Sequence, residues 1–264
     1  MLRALRAYPT LLRVGIADMI AYRTEFLIWA LTTNMPLVML AVWNAAVDDG
    51  PVGRFGRPQF IAYYLITMIV RLLVSNWVVW EITMSIRHGT LATRLMRPLH
   101  PLWAWSAEQL AAVPMRLVLV APVVVALVHA AGSELTRDPA LLAIFALSLV
   151  GAWLVQFFLM VALGLASFWI ESSFGLFEVW MGVNAVLGGY LVPLELLPEW
   201  LRSSTGWLPF RFLLSFPVET AMGLHPVDVA LGDLGIQWAY VAVSAAATLA
   251  LWRAGLRRFA AFGG

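Results

Sequence analysis

Six stretches of this chain are long enough and apolar enough to leave water altogether. They run roughly over residues 25–47, 60–83, 110–131, 140–169, 176–197 and 233–254. A helix needs about 20 apolar residues to cross about 30 Å of hydrocarbon. In lipid every backbone N–H and C=O must find its partner inside the protein, which leaves helices or closed barrels as spanning structures. Uninterrupted stretches of this length select helices. The predicted fold class is thus an all-α polytopic membrane protein with six transmembrane helices. Composition excludes the soluble alternative: 62% of the 264 residues are hydrophobic and 12% charged, whereas a soluble domain carries about 25% charge.

The same composition removes several chemistries. With no cysteine there is no disulfide, thiolate metal site or cysteine nucleophile. All 17 basic residues are arginine, so the lysine of a Walker A loop is absent, as is any Schiff-base lysine. The four histidines, His88, His100, His129 and His225, lie on different segments, and no HExxH or GxSxG pattern occurs. Ser172 and Ser173 sit beside Glu171 with no histidine near in sequence. The sequence thus predicts no catalytic residue, no metal ligand and no cofactor bound by this chain. A net charge of +2 gives no footprint for nucleic acid.

Arginine placement orients the chain. With the N-terminus in the cytoplasm, the inner segments hold Arg3, Arg6, Arg13, Arg23, Arg87, Arg94, Arg97, Arg253, Arg257 and Arg258. The outer segments hold Arg54, Arg57, Arg137, Arg202 and Arg211. Ten against five obeys the positive-inside rule and puts both termini in the cytoplasm of a plasma (inner) membrane protein. The whole chain, 1–264, reads as one transmembrane domain with three non-spanning parts. Residues 1–24 place Leu5, Leu12, Ile16, Met19 and Ile20 between arginines, the pattern of an interfacial amphipathic helix, with Pro9 expected to divide it; a disordered basic tail is the alternative. Residues 84–109 contain a short helix, Thr90 to Met96, in which Leu91 and Leu95 share a face. That is either a docking element for a soluble partner or a basic loop that only enforces topology. In residues 188–232, prolines at 193, 198, 209 and 217 and the charges of Glu195, Glu199, Arg202, Arg211 and Glu219 break any 20-residue run. Short re-entrant or interfacial helices fit there, with Trp200 and Trp207 at headgroup level.

Arg71 is the main polar anomaly, near the middle of the second stretch, where an unpaired charge is costly. It is expected to be a structural ion pair with a carboxylate on a neighbouring helix, or else part of a pathway. Arg116, near the start of the third stretch, is expected to snorkel.

The layout resembles the type-2 ABC exporter permeases. The string "IRHGTLATRLMRPLHPLW" is similar to that family's cytoplasmic G-x-L-x-x-x-L-x-x-P segment. The string "GGYLVPLELLPEWL" followed by "LPF" resembles its outer P-x-x-x-x-P segment, and "WRAGLRRFAAFGG" resembles the end of a bacterial subgroup encoded beside a second permease and an ATPase. The resemblance implies a membrane-spanning subunit of an ATP-driven exporter. It would pair with a second permease, a sister subunit in preference to a second copy, and dock on ABC ATPase subunits that hold the ATP and magnesium, with membrane lipids around it. It implies coupling residues Gly89, Thr90, Leu91, Arg94, Leu95, Arg97 and Pro98, and an outer gate region including Pro193, Glu195, Pro198 and Trp200. An ion-coupled secondary transporter would need paired intramembrane acids and broken helices in both halves; a lipid-modifying enzyme would need a clustered His, Asp or Ser constellation. The sequence offers one deep charge and breaks only in its second half.

Overall fold

Helix follows the apolar stretches closely in the computed structural model of the protein, which describes residues 2–21, 24, 35–48 and 50–262. The elements are α1 (Leu2–Ala21), α2 (Met35–Ala46), α3 (Arg57–Val74), α4 (Val78–Arg87), α5 (Leu91–Leu95) and α6 (Pro101–Leu110). They continue with α7 (Val113–Ala131), α8 (Pro139–Leu165), α9 (Phe174–Leu187), α10 (Glu199–Thr205), α11 (Ser215–Ala221) and α12 (Val227–Phe262). Four helical segments among the described residues are long and apolar enough to cross a membrane: Arg57–Arg87, Pro101–Glu134, Pro139–Phe168 and Val227–Phe259. Met35–Ala46 and Phe174–Leu187 are shorter apolar helices. Residues 25–34 of the predicted first stretch lie outside the described residues.

Three boundaries depart from expectation for local reasons. Pro9 does not divide α1, which runs unbroken from Leu2 to Ala21. A proline costs the helix one hydrogen bond, and here packing holds both sides of it. Tyr8 meets Trp103 edge-on and contacts the Ser106 hydroxyl at 3.1 Å, and Gly15 lies against Ala111. The second stretch is not one helix: it unwinds at Ser75–Asn76–Trp77 between α3 and α4. The freed groups are taken up from the side, since the Trp77 N–H donates to Gln109 Oε1 at 3.0 Å and Arg116 donates to the Ser75 carbonyl. Arg116 therefore does not snorkel; it is buried as the cap of this break. The first half of the chain is thus broken as well as the second. In the fifth stretch, finally, α9 stops at Leu187 instead of 197. Gly189 turns the chain at φ +83°, a backbone region that favours glycine. Its 14 residues extend about 21 Å.

α12 and α8 form the central pair, stitched by polar side chains. Gln237 donates to the carbonyls of Ser148 and Phe212 at 3.0 and 2.8 Å, and Thr248 to that of Phe158 at 2.9 Å. At one end of the bundle α1 lies on α6, His100 and Trp105 pack on Trp252, and Phe168 packs on Phe259. At the other end Arg54 pairs with Glu195, Arg57 with Asp48, and Gln59 reaches Glu134 at 2.8 Å. The apolar core divides at the break. One cluster runs from Phe55 to Val74 with α7, α11 and Tyr190; a second starts at Val78 and includes Leu91, Trp105, Trp153 and Trp252.

Candidate functional site

The segment after α4 carries the predicted docking helix. Gly89 adopts φ +71°, which lets the chain reverse, and α5 follows over one turn. The predicted apolar pair is split by the fold. Leu91 is 0% exposed and belongs to the core cluster beneath, where burying it contributes about 1.5–3 kcal/mol. Leu95 is 37% exposed and Met96 78%. The open face consists of Leu95, Met96, Arg97 and Pro98, flanked by Gly89, Thr90 and Thr93. Arg94 turns inward instead of offering a free charge. It pairs with Glu81 of α4 and with Glu108 of α6 at 3.1 Å, and lies 5.7 Å over the Trp105 ring. It fastens α5 to two helices, one of which carries α1. Below it, Thr83, Ser167 and Ser173 share hydrogen bonds of 2.6 to 3.3 Å that tie α4 to the turn after α8.

Between the two core clusters lies a cavity of about 340 Å³. Arg71 lines it from the last turn of α3, together with Asn76 from the break, Gln156 from α8, Trp180 and Asn184 from α9, and Tyr190. Among the described residues no carboxylate lies within ion-pair reach of Arg71. The expected structural pair is replaced by a cation–π contact, with the guanidinium 4.3 Å from the Tyr190 ring centroid. The Arg71 Nε, both side-chain heteroatoms of Asn76, the Trp180 Nε1 and the Asn184 Oδ1 are buried without a hydrogen-bond partner.

The segment predicted to lie outside, residues 188–232, is built from short helices, as its prolines require. α11 is buried along its whole length, and Trp200 and Trp207 are each 72% exposed. Of the predicted gate residues, Pro193 is buried, Glu195 pairs with Arg54, and Pro198 and Trp200 are exposed. Behind them is a buried ion network. Arg211 donates to Glu219 at 2.9 Å and to Asp233 at 2.8 Å, and His225 Nε2 stands 3.5 Å from the same Glu219 oxygen. Burial alone would raise the Glu219 pKa, but the His225 hydrogen bond and the Arg211 charge outweigh it and hold it below its ordinary value. The bond to Glu219 raises His225 above its ordinary value against the opposing effect of burial.

Sequence reasoning singled out Arg71 but not Asn76, Gln156 and Asn184. Their signal was present: each is an amide inside a stretch otherwise fit for lipid, where a buried polar group needs a partner. The Arg211 network was less legible, because Arg211, Glu219 and Asp233 meet only once α11 folds back under the start of α12.

No curated protein matches the chain. A family model described as "ABC-2 family transporter protein" matches residues 24–263. That match spans all four long apolar helices, the α5 segment and the short helices α10 and α11. This multi-pass membrane protein, a permease subunit of an ABC transporter, therefore belongs to the ABC-2 family of transporter proteins.

Proposed function

We propose that the chain is one half of an ATP-driven exporter. Its apolar helices would cross the membrane six times, with both termini in the cytoplasm. It would pair with a sister permease and receive the ATPase stroke through α5. ATP and magnesium would reside on the partner ATPase, since this chain has no lysine for a phosphate-binding loop. The observation that carries the reading is the form of α5, a one-turn helix with an exposed apolar tip whose base is clamped to α4 and α6. A displacement at that tip is passed to two helices, and through α4 to the break at residues 75–77. The arginines of α5 and of the end of α12, together with α1, gather at one end of the bundle, which suits the cytoplasmic side.

Proline-broken helices in the outer segment, with α11 wholly buried, suit an outer gate that opens when the inner end closes. The break in α3–α4 removes one argument against a secondary transporter, since both halves are now discontinuous. Family membership and the α5 geometry favour ATP coupling over it.

The test is a double substitution at the tip, Leu95→Asp with Met96→Asp, in the chain co-expressed with its ABC ATPase. Both side chains are exposed, so the variant should insert and fold as wild type. Co-purification of the ATPase and transport should both be lost. An intact ATPase complex and undiminished transport in this variant would overturn the reading.

A further inference from the structure

The cavity between the two core clusters holds a permanent positive charge and several unmet hydrogen-bonding groups, and no described residue supplies the opposite charge. Arg71 cannot shed its proton in practice. An ionised group taken out of water without a partner is expensive, and in the membrane such residues mark functional sites. Tyr190 offers the guanidinium a π face but no negative charge. Asn76, 3% exposed, makes no side-chain hydrogen bond, and Trp180 keeps a buried, unpaired ring N–H. Buried polar groups in folded proteins are ordinarily satisfied, and each exception asks for an occupant. The setting adds direction. The cavity faces a place where α3 has ended and α4 has not begun, so the backbone is interrupted at membrane depth. Beyond the amides of Gln156 and Asn184 and the Ser75 hydroxyl, its walls are largely apolar, with Met35, Val74, Phe177, Met181, Ala185 and Leu213 among them. Met35 and Met181, which line it, are also exposed, so among the described residues its apolar side reaches the surface.

A charged, donor-rich pole joined to an apolar exit describes the negative of one kind of molecule. We propose that this cavity binds the anionic head of an amphiphile, a phosphate or carboxylate group carried on an apolar body. Arg71 supplies the counter-charge, and Asn76 and Trp180 donate hydrogen bonds. The inference rests on the permease reading and names its ligand class. At about 340 Å³ the cavity holds a headgroup and the first part of a chain, not a whole lipid. The tail leaves between α2 and α9.

The experiment follows the thermal unfolding of the detergent-purified ATPase complex as three probes are titrated: dioctanoyl phosphatidic acid, dioctanoyl phosphatidylcholine and inorganic phosphate. Phosphatidic acid should raise the midpoint saturably, and the other two should not. A shift with phosphatidylcholine equal to that with phosphatidic acid would mean that only the tail is recognised, and a matching shift with inorganic phosphate alone would mean a free-anion site. Either result overturns the proposal. Arg71→Gln should weaken the phosphatidic acid response at least tenfold. Should that variant fail to fold, Asn76→Asp serves instead. It places a carboxylate in the same cavity at nearly the same shape, so it should raise the ligand-free midpoint and abolish the response. A response that persists in Asn76→Asp sinks the proposal. The ATPase co-purifies in these preparations whatever the lipid does, so failure here leaves the docking function of α5 standing and is read separately from it.

Discussion

Arg94 and Arg211 sit near opposite ends of the bundle and share one design: each is held by two carboxylates from two other segments. Arg94 joins Glu81 and Glu108, and Arg211 joins Glu219 and Asp233. They differ in water. The Arg94 side chain is 22% exposed and its partners 29% and 38%, whereas at Arg211 the three values are 13%, 5% and 13%. The difference matters because solvent screens a wet pair and leaves a dry one at full strength. A dry cluster is a fixture: losing one member strands the others in a low dielectric. A half-wet cluster is a clamp that can loosen and re-form. The exposed tip of α5 is attached to the clamp, and the buried α11 to the fixture. Motion is thus permitted at the α5 end and resisted around α11.

Removing the central arginine from each cluster should break this symmetry most visibly. Arg211→Ala leaves two carboxylates stranded and should destabilise the protein by about 3–5 kcal/mol, read as a large fall in the thermal midpoint of the purified chain in detergent. Arg94→Ala should cost about 1–2 kcal/mol, because water reaches the stranded Glu81 and Glu108. Its larger consequence is functional: ATPase stimulation should fall more than stability, since α5 loses its anchor to α4 and α6. Equal stability losses for the two variants would show that exposure does not distinguish the clusters.

Much of this arrangement was legible in the sequence, and the exceptions have physical causes. Long apolar runs announce helices because the bilayer admits little else, and the prolines at 193, 198, 209 and 217 announce the broken outer segment. The α5 helix was visible from Gly89, the leucines and Pro98. Which leucine faces outward was not: Leu91 and Leu95 share a helical face, yet the helix is only five residues long and enters the core at its first residue. The inward turn of Arg94 depended on Glu108, 14 positions further on and one helix away. The break at residues 75–77 contains neither proline nor glycine. It is sustained by Gln109 and Arg116 from a different span, and such a cause is invisible along the chain. The cavity was half legible, since the charge of Arg71 in an apolar run was plain, whereas the absence of a partner required the fold.

The smallest expected effect separates the two clusters by titration. Among the described ion pairs only the outer network contains a histidine, and four groups face one another there: Arg211, Glu219, Asp233 and His225. One arginine against two carboxylates leaves an excess negative charge, which a protonated His225 neutralises. Because the folded pKa of His225 is raised, its contribution is fully present below its ordinary value of 6.5 and is lost as pH rises through the folded value. Glu219 works in the other direction: its folded pKa is lowered, so its contribution is present above its ordinary value of 4.5 and is lost as pH falls through the folded value. The network is therefore at full strength between about pH 4.5 and 6.5, and its alkaline decline belongs to the histidine. Thermal midpoints recorded from pH 6 to pH 9 should fall for the wild type. His225→Gln should start lower at pH 6 and show a flatter profile, converging on the wild type near pH 9. An unchanged slope in His225→Gln would assign the decline to other groups and remove the titratable distinction between the two ends.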